Sequence, residues 1–192
     1  VGLHDARTGE RLWSHSPGVD VGAGLAADID PRYRGYEMWG GPGGLRDFRG
    51  NEIGPKPRST GSAIWWDGDL QRELLDRRSR VMKWDWMEGS EKLIMDTGCR
   101  GGARGPNLMG DPIGDWREEL LMTAPDGKAL RLYTTTLLTE YKLRTLLHDP
   151  QYRLGIAWQN VVYNKPPHPS FFLGEGMRPP LKPNIRVEKL PN

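Results

Sequence analysis

The chain has 192 residues, a formal net charge of +2, and 36% hydrophobic and 27% charged residues. Its 25 glycines and 16 prolines far exceed ordinary usage and argue for many turns and short strands rather than long helices. Interleaved charges and the lack of any apolar run near the ~18 residues of a membrane span point away from nucleic-acid and membrane partners, and one cysteine, Cys99, excludes an internal disulfide.

The chain opens at Val1 with neither a start methionine nor a charged-then-apolar leader, so it reads as a piece of a longer protein. Two short apolar stretches flank the turn residues Asp5-Ala6-Arg7-Thr8-Gly9 and end at Trp13, which predicts a β-hairpin. A repeat follows, in which an acidic loop leads to a glutamate and an apolar strand. Its copies run from Asp28-Ile29-Asp30-Pro31 to Glu37, from Trp66-Asp67-Gly68-Asp69 to Glu73, and from Asp111-Pro112-Ile113-Gly114-Asp115 to Glu119. The glutamates lie 36 and 46 residues apart, a period that fits four-stranded propeller blades. Arg80–Trp86, Lys92–Asp96, Leu130–Thr136 and Tyr152–Val162 are further strand candidates, the last two rich in strand-forming residues. Leu137–Leu147 alone has helical periodicity, and residues 168–192 are dominated by Pro and Gly, which predicts an extended tail.

This pattern predicts an all-β fold over residues 1–192, either three to four blades of a β-propeller or a β-sandwich. Closing a propeller ring takes about 4–8 blades. Such a segment would leave strand edges for its missing N-terminal part to cover.

Calcium binds six to eight oxygen ligands, mostly carboxylates and carbonyls, in flexible geometry. The candidate ligand sets are Asp28, Asp30 and Glu37; Asp67, Asp69 and Glu73; and Asp111, Asp115 and Glu119. Turn chemistry is the alternative, with Asp capping turns and Glu pairing with Arg72 or Arg117. The run from Trp158 to Pro169 ends a strand candidate in polar donors and rigid prolines. There Tyr163 between Asn160 and Asn164, with Lys165 and His168 nearby, can bind a sugar or move a proton, or else pack as ordinary turn residues. Trp13, Trp39, Trp66 and Trp116 sit at repeat boundaries, which favours packing over sugar stacking. The four histidines lack zinc-site spacing.

The runs Ala27–Pro31, Gly35–Trp39, Trp66–Leu70, Gly114–Glu119 and Gln159–His168 together resemble the polysaccharide lyase family 11 rhamnogalacturonan lyases, in the family's order and over nearly the whole chain. The resemblance implies the C-terminal part of an eight-bladed propeller, Ca²⁺, secretion, a monomeric full-length protein, and rhamnogalacturonan I of plant pectin as substrate. It also implies β-elimination between rhamnose and galacturonate. Tyr163 matches the family's active-site tyrosine, with Asn160, Asn164 and His168 as substrate-binding neighbours.

Two positions depart from the family. Ala23 stands where a loop usually carries Arg. The family's Asn-Gly-Thr-Lys motif is replaced, so that a gapless reading puts Ala103 at the Lys. A three-residue insertion puts Arg100 there instead, and Arg104 lies close in sequence. Arg100 and Arg104 are therefore the remaining catalytic candidates. A glycan-binding propeller that lost its Arg and Lys, and a Ca²⁺-stabilised propeller used for protein contacts, are the competing readings.

Overall fold

The computed structural model describes residues 1–99, 105–159, 161 and 165–184. Among them, strands that follow one another in the chain pair antiparallel into four sheets. β1 (Gly2–His4) and β2 (Arg11–Ser14) form the expected hairpin. Its turn is held by Asp5, whose carboxylate accepts the Arg7 and Thr8 backbone N–H groups. The second sheet is β3 (Gly24–Ala27), β4 (Glu37–Gly40), β5 (Leu45–Arg46) and β6 (Glu52–Gly54). The third is β7 (Ser62–Ile64), β8 (Glu73–Leu75), β9 (Arg80–Asp85) and β10 (Ser90–Asp96). The fourth is β11 (Leu108–Gly110), β12 (Glu119–Thr123) and β13 (Leu130–Tyr133).

Side chains alternate between the two faces of a strand, so a sheet covered on both sides needs apolar residues at consecutive positions. The third sheet meets that requirement. Ala63, Leu74, Met82 and Trp84 pack with Leu25, Ala27, Trp39 and Leu45 of the second sheet. Their chain neighbours Ile64, Leu75 and Val81 pack the other way, onto Met109, Leu120 and Met122 of the fourth. Three consecutive sheets are thus held face to face by two separate cores. Trp39, Trp66 and Trp116 are buried, in line with a packing role. Trp13 joins the hairpin to the second sheet through its indole N–H, 3.4 Å from the Phe48 carbonyl.

A third core closes one end around Trp65, Leu70, Trp116, Leu146, Tyr152 and Leu173. Here the structure departs from the sequence reading. Residues 152–157, expected as the start of a strand at Tyr152–Val162, lie instead in a helix, α1 (Pro150–Ala157). Asp149 caps it, accepting the Tyr152 N–H at 3.0 Å, and Pro150 occupies the first turn, where its missing N–H and fixed φ cost nothing. Local start chemistry outweighs the strand propensity of Tyr152 and Ile156. Leu137–Leu147, expected to hold a short helical turn, carries neither helix nor strand until a single 3₁₀ turn at Leu146–His148.

The segment 165–184 carries no helix or strand and lies over this end. It approaches α1 at Gly155, where an added Cβ would sit 3.0 Å from Pro167. Asp149 also accepts the Ser170 N–H at 2.8 Å and hydroxyl at 2.6 Å, so one carboxylate ties helix to tail. Asp149→Ala is expected to cost about 1–2 kcal/mol, the usual value of a lost cap, and Asp149→Asn clearly less. Thermal melts of both variants measure this. Equal losses would mean that the charge of Asp149, rather than its acceptor geometry, is what stabilises the junction.

Candidate functional site

Each of the three larger sheets begins its second strand with a glutamate of the sequence repeat: Glu37, Glu73 and Glu119. All three are fully buried, and each turns one carboxylate oxygen back onto the preceding acidic loop. Glu37 Oε2 accepts the N–H groups of Ile29 and Asp30 at 2.9 and 3.0 Å. Glu73 Oε2 accepts those of Trp66 and Asp67 at 2.9 and 3.1 Å. Glu119 Oε2 accepts only Ile113 N–H, at 3.3 Å, because the preceding loop residue is Pro112, which has no N–H. The repeat is therefore a structural device, in which a buried carboxylate shapes the loop before it.

The second oxygen is treated differently each time. In the ladders, Met38 pairs with Arg46, Leu74 with Met82 and Leu120 with Tyr133. One further step sets Asp47, Lys83 and Thr134 opposite the three glutamates. Thr134 donates its hydroxyl to Glu119 Oε1 at 3.1 Å. Lys83 Nζ lies 2.6 Å from Glu73 Oε1 and 2.8 Å from both Asp67 Oδ2 and Asp69 Oδ2. Asp47 instead caps its own turn, accepting the N–H groups of Arg49 and Asn51. Glu37 Oε1 is left buried without a hydrogen-bond partner, and so is Oδ1 of the fully buried Asp28.

These contacts sort the candidate metal ligands. Asp67, Asp69 and Glu73 bring one oxygen each within 4.8 Å of the others, a cluster able to hold a cation, yet the Lys83 ammonium already touches all three. A metal ion does not fit there while Lys83 stays. Asp111, Asp115 and Glu119 do not converge: Asp111 accepts Gly114 N–H, Leu146 N–H and the Thr145 hydroxyl, and Asp115 pairs with Arg117 at 2.7 Å. In the first set Asp30 is taken by Arg32 at 2.6 Å. Asp28 and Glu37 remain, two buried carboxylates with one oxygen each left without a hydrogen-bond partner, which is the kind of unmet demand a cation or a proton answers. Burial raises Asp28 to about 7, and the charges of Glu175, Asp69 and Asp30 add to the rise. Burial and the charge of Asp28 raise Glu37 to about 8. Gly174 and Glu175 cover the pair, with Glu175 N–H donating to Asp28 Oδ2.

A second buried network lies beside it. Arg72 pairs not with Glu73 but with Glu118, at 2.9 Å and with both side chains wholly enclosed. Its guanidinium stacks 3.9 Å from the Trp65 ring centroid. Glu118 also accepts the Tyr152 hydroxyl at 2.7 Å and the Trp65 N–H at 3.0 Å. Arg72 further donates to the Pro167 carbonyl at 3.4 Å and lies 3.3 Å from His168 Nδ1. Arginine can only donate, so His168 Nδ1 accepts and the ring proton sits on Nε2. Burial and Arg72 depress His168 to about 3, keeping it neutral, and its ring packs on Tyr36 with centroids 5.9 Å apart.

Of the sequence-derived site residues, Arg100, Arg104, Asn160, Tyr163 and Asn164 lie outside the described residues. Both flanks of the tyrosine's segment are fixed. Gln159 bonds the Met109 backbone at both N–H and C=O, and Pro167 and His168 are held by Arg72. Lys165 Nζ reaches the Gly24 carbonyl at 3.1 Å, beside the exposed Ala23. Sequence reasoning missed Lys83 and Thr134, whose partners only the strand register makes visible, and Glu118, whose partners Arg72 and Tyr152 come from distant parts of the chain.

Comparison with known proteins identifies the family of the chain. The profile of the C-terminal domain of rhamnogalacturonan lyase family 11 matches residues 1–183. The rhamnogalacturonan endolyase YesW of Bacillus subtilis strain 168 is 51% identical over 190 residues, 96% of this chain and 30% of YesW. The rhamnogalacturonan exolyase YesX of the same strain is 48% identical over 207 residues, 97% of this chain and 34% of YesX. The crystal structure of YesW superposes with a TM-score of 0.92 at 50% identity, covering 97% of this chain and 33% of that one. The chain spans about a third of the length of these relatives.

Both Asp28 and Glu37 have folded-state pKa values above the ordinary carboxylate range, so the folded chain keeps protons that the unfolded chain has released. Their contribution to stability is full below the ordinary range and is lost as pH rises through about 7 and 8. Melting temperatures in chelator should fall over that interval, and Glu37→Gln should flatten the fall. An unchanged slope in the Gln variant would remove Glu37 from the account.

Proposed function

The chain belongs to rhamnogalacturonan lyase family 11, whose C-terminal domain it matches, and from that membership we propose that it is part of a secreted lyase cleaving the rhamnose–galacturonate backbone of pectin by β-elimination. In this reading residues 1–192 supply about three to four blades of a β-propeller that is completed by the rest of the full-length, monomeric protein. The successive antiparallel sheets packed on both faces support it.

The reaction breaks the C5–H bond of galacturonate. Its electrons form the C4–C5 double bond, and the C4 oxygen leaves with the next sugar and takes up a proton. The C5 proton is hard to remove while the adjacent carboxylate is uncompensated, so the site needs a proton acceptor and positive charge. Tyr163 is the acceptor and Arg100 and Arg104 hold the carboxylate. Lys165, fixed beside Ala23, adds a cation where family members usually carry Arg. Asn160, Asn164 and His168 bind the sugar, His168 through its Nε2 proton.

The observation that carries the proposal is the fixing of Gln159 and of Pro167–His168 on either side of Tyr163, since proton transfer demands a base held within hydrogen-bond reach. Asp28 and Glu37 are the residues that would hold Ca²⁺, which would supply the positive charge that their orphaned oxygens lack. Both residues are fully buried, so an ion there supports the loop rather than the sugar. The competing reading, a silent glycan-binding propeller, is favoured by Ala23, which offers no charge.

Full-length protein given rhamnogalacturonan I and Ca²⁺ should produce an ultraviolet absorbance from the new double bond. Tyr163→Phe should abolish it with the melting temperature nearly unchanged. Glycan binding without absorbance, in the unaltered protein, would favour the silent propeller, and full activity of the Phe variant would remove Tyr163 from the reaction. Chelator should lower the melting temperature, and no shift would leave Asp28 and Glu37 without an ion.

A further inference from the structure

The three larger sheets pose the same electrostatic problem and solve it with different residues at one position. Glu37, Glu73 and Glu119 are each fully buried and use Oε2 to hold a loop. The residue opposite, within the third strand for Lys83 and one step past its end for Asp47 and Thr134, decides what meets Oε1. Thr134 meets it with a hydroxyl and Lys83 with an ammonium, while Asp47 turns away to its own turn.

Lys83 meets more than its glutamate. Its three N–H donors have three acceptors, on Asp67, Asp69 and Glu73, all at 2.6–2.8 Å. A divalent ion coordinated by these oxygens would need the position that Nζ holds. The lysine cannot diffuse away, since β9 is anchored through the buried Met82 and Trp84 on either side of it. A calcium ion would have to expel a tethered cation and then complete six to eight ligands, of which the cluster supplies only three side chains.

We propose that Lys83 is a built-in substitute for a metal ion, so that the Asp67–Glu73 loop binds no divalent cation although its acidic residues suggest one. The residue opposite the repeat glutamate thereby sets the cation requirement of this sheet. Lysine makes the loop independent of metal, and removing that ammonium exposes a latent divalent-cation site. The claim concerns the second loop alone and holds whether or not Asp28 and Glu37 take an ion.

Calcium stoichiometry of the full-length protein, measured by isothermal titration and equilibrium dialysis, tests it through differences between variants. Asp69→Asn, at a half-exposed position, should leave the number of bound calcium ions unchanged. Loss of one ion would mean that the loop already binds calcium, and the proposal fails. Lys83→Met should bind one calcium ion more than the unaltered protein and should gain melting temperature with calcium where the unaltered protein does not gain as much. Lys83→Arg, which keeps the charge, should gain none. A Lys83→Met protein that binds no additional ion, or that stays unfolded with calcium present, overturns the proposal. If it folds only when calcium is added, that rescue supports it.

Discussion

A buried carboxylate must have its charge compensated or give the charge up, and this chain places one at the same point in three successive sheets. Each glutamate opens the second strand, reaches back to the loop before it, and fixes the backbone N–H groups that no ladder could satisfy. The loops are acidic, so each glutamate sits among further negative charge. What compensates that charge determines the chemistry each loop can support: a hydroxyl at Thr134, an ammonium at Lys83, and at Glu37 a proton or an ion. The same fold thus yields three loops with different electrostatic needs.

The packing makes these needs strict. The third sheet is covered on both faces, with alternate residues of each strand sent to one core or the other, and the glutamates, which open an inner strand of each sheet, are fully buried. Between the third and fourth sheets the Arg72–Glu118 pair performs a related task over a longer range. Arg72 leaves the strand start beside Glu73 and meets Glu118, while Tyr152 from the helix and His168 from the tail close the network. Removing one partner of such an enclosed pair typically costs about 3–5 kcal/mol because the other charge is stranded. That sensitivity suits a junction that must hold Pro167 and His168, and with them one flank of the Tyr163 segment, in a single position.

Much of this was legible in the chain. The opening hairpin, the strands within Arg80–Trp86, Lys92–Asp96 and Leu130–Thr136, and the glutamate repeat are all set by local turn chemistry and two-residue alternation. The family is legible too, because its motifs are long and occur in order. Residues 152–157 of the strand expected at Tyr152–Val162 are helical because the Asp149–Pro150 start signal outweighs their aromatic and β-branched propensity. Glu118 was passed over because it lies 46 residues from Arg72, and nothing in the sequence chooses between Glu118 and the adjacent Glu73 as its partner. Lys83 reads as an ordinary solvated lysine until the register of β8 and β9 sets it opposite Glu73. The acidic residues of all three loops looked alike for the same reason: their difference lies across the ladder, outside the loops themselves.

The central claim is that the residue facing each glutamate decides where an ion is needed. A crystal structure of the full-length protein grown with calcium, with anomalous data collected at long wavelength, tests it most directly. The account predicts a calcium peak between Asp28 and Glu37 and none among Asp67, Asp69 and Glu73, where Lys83 should remain in contact with all three. A calcium peak in that second loop, with Lys83 displaced, would contradict it.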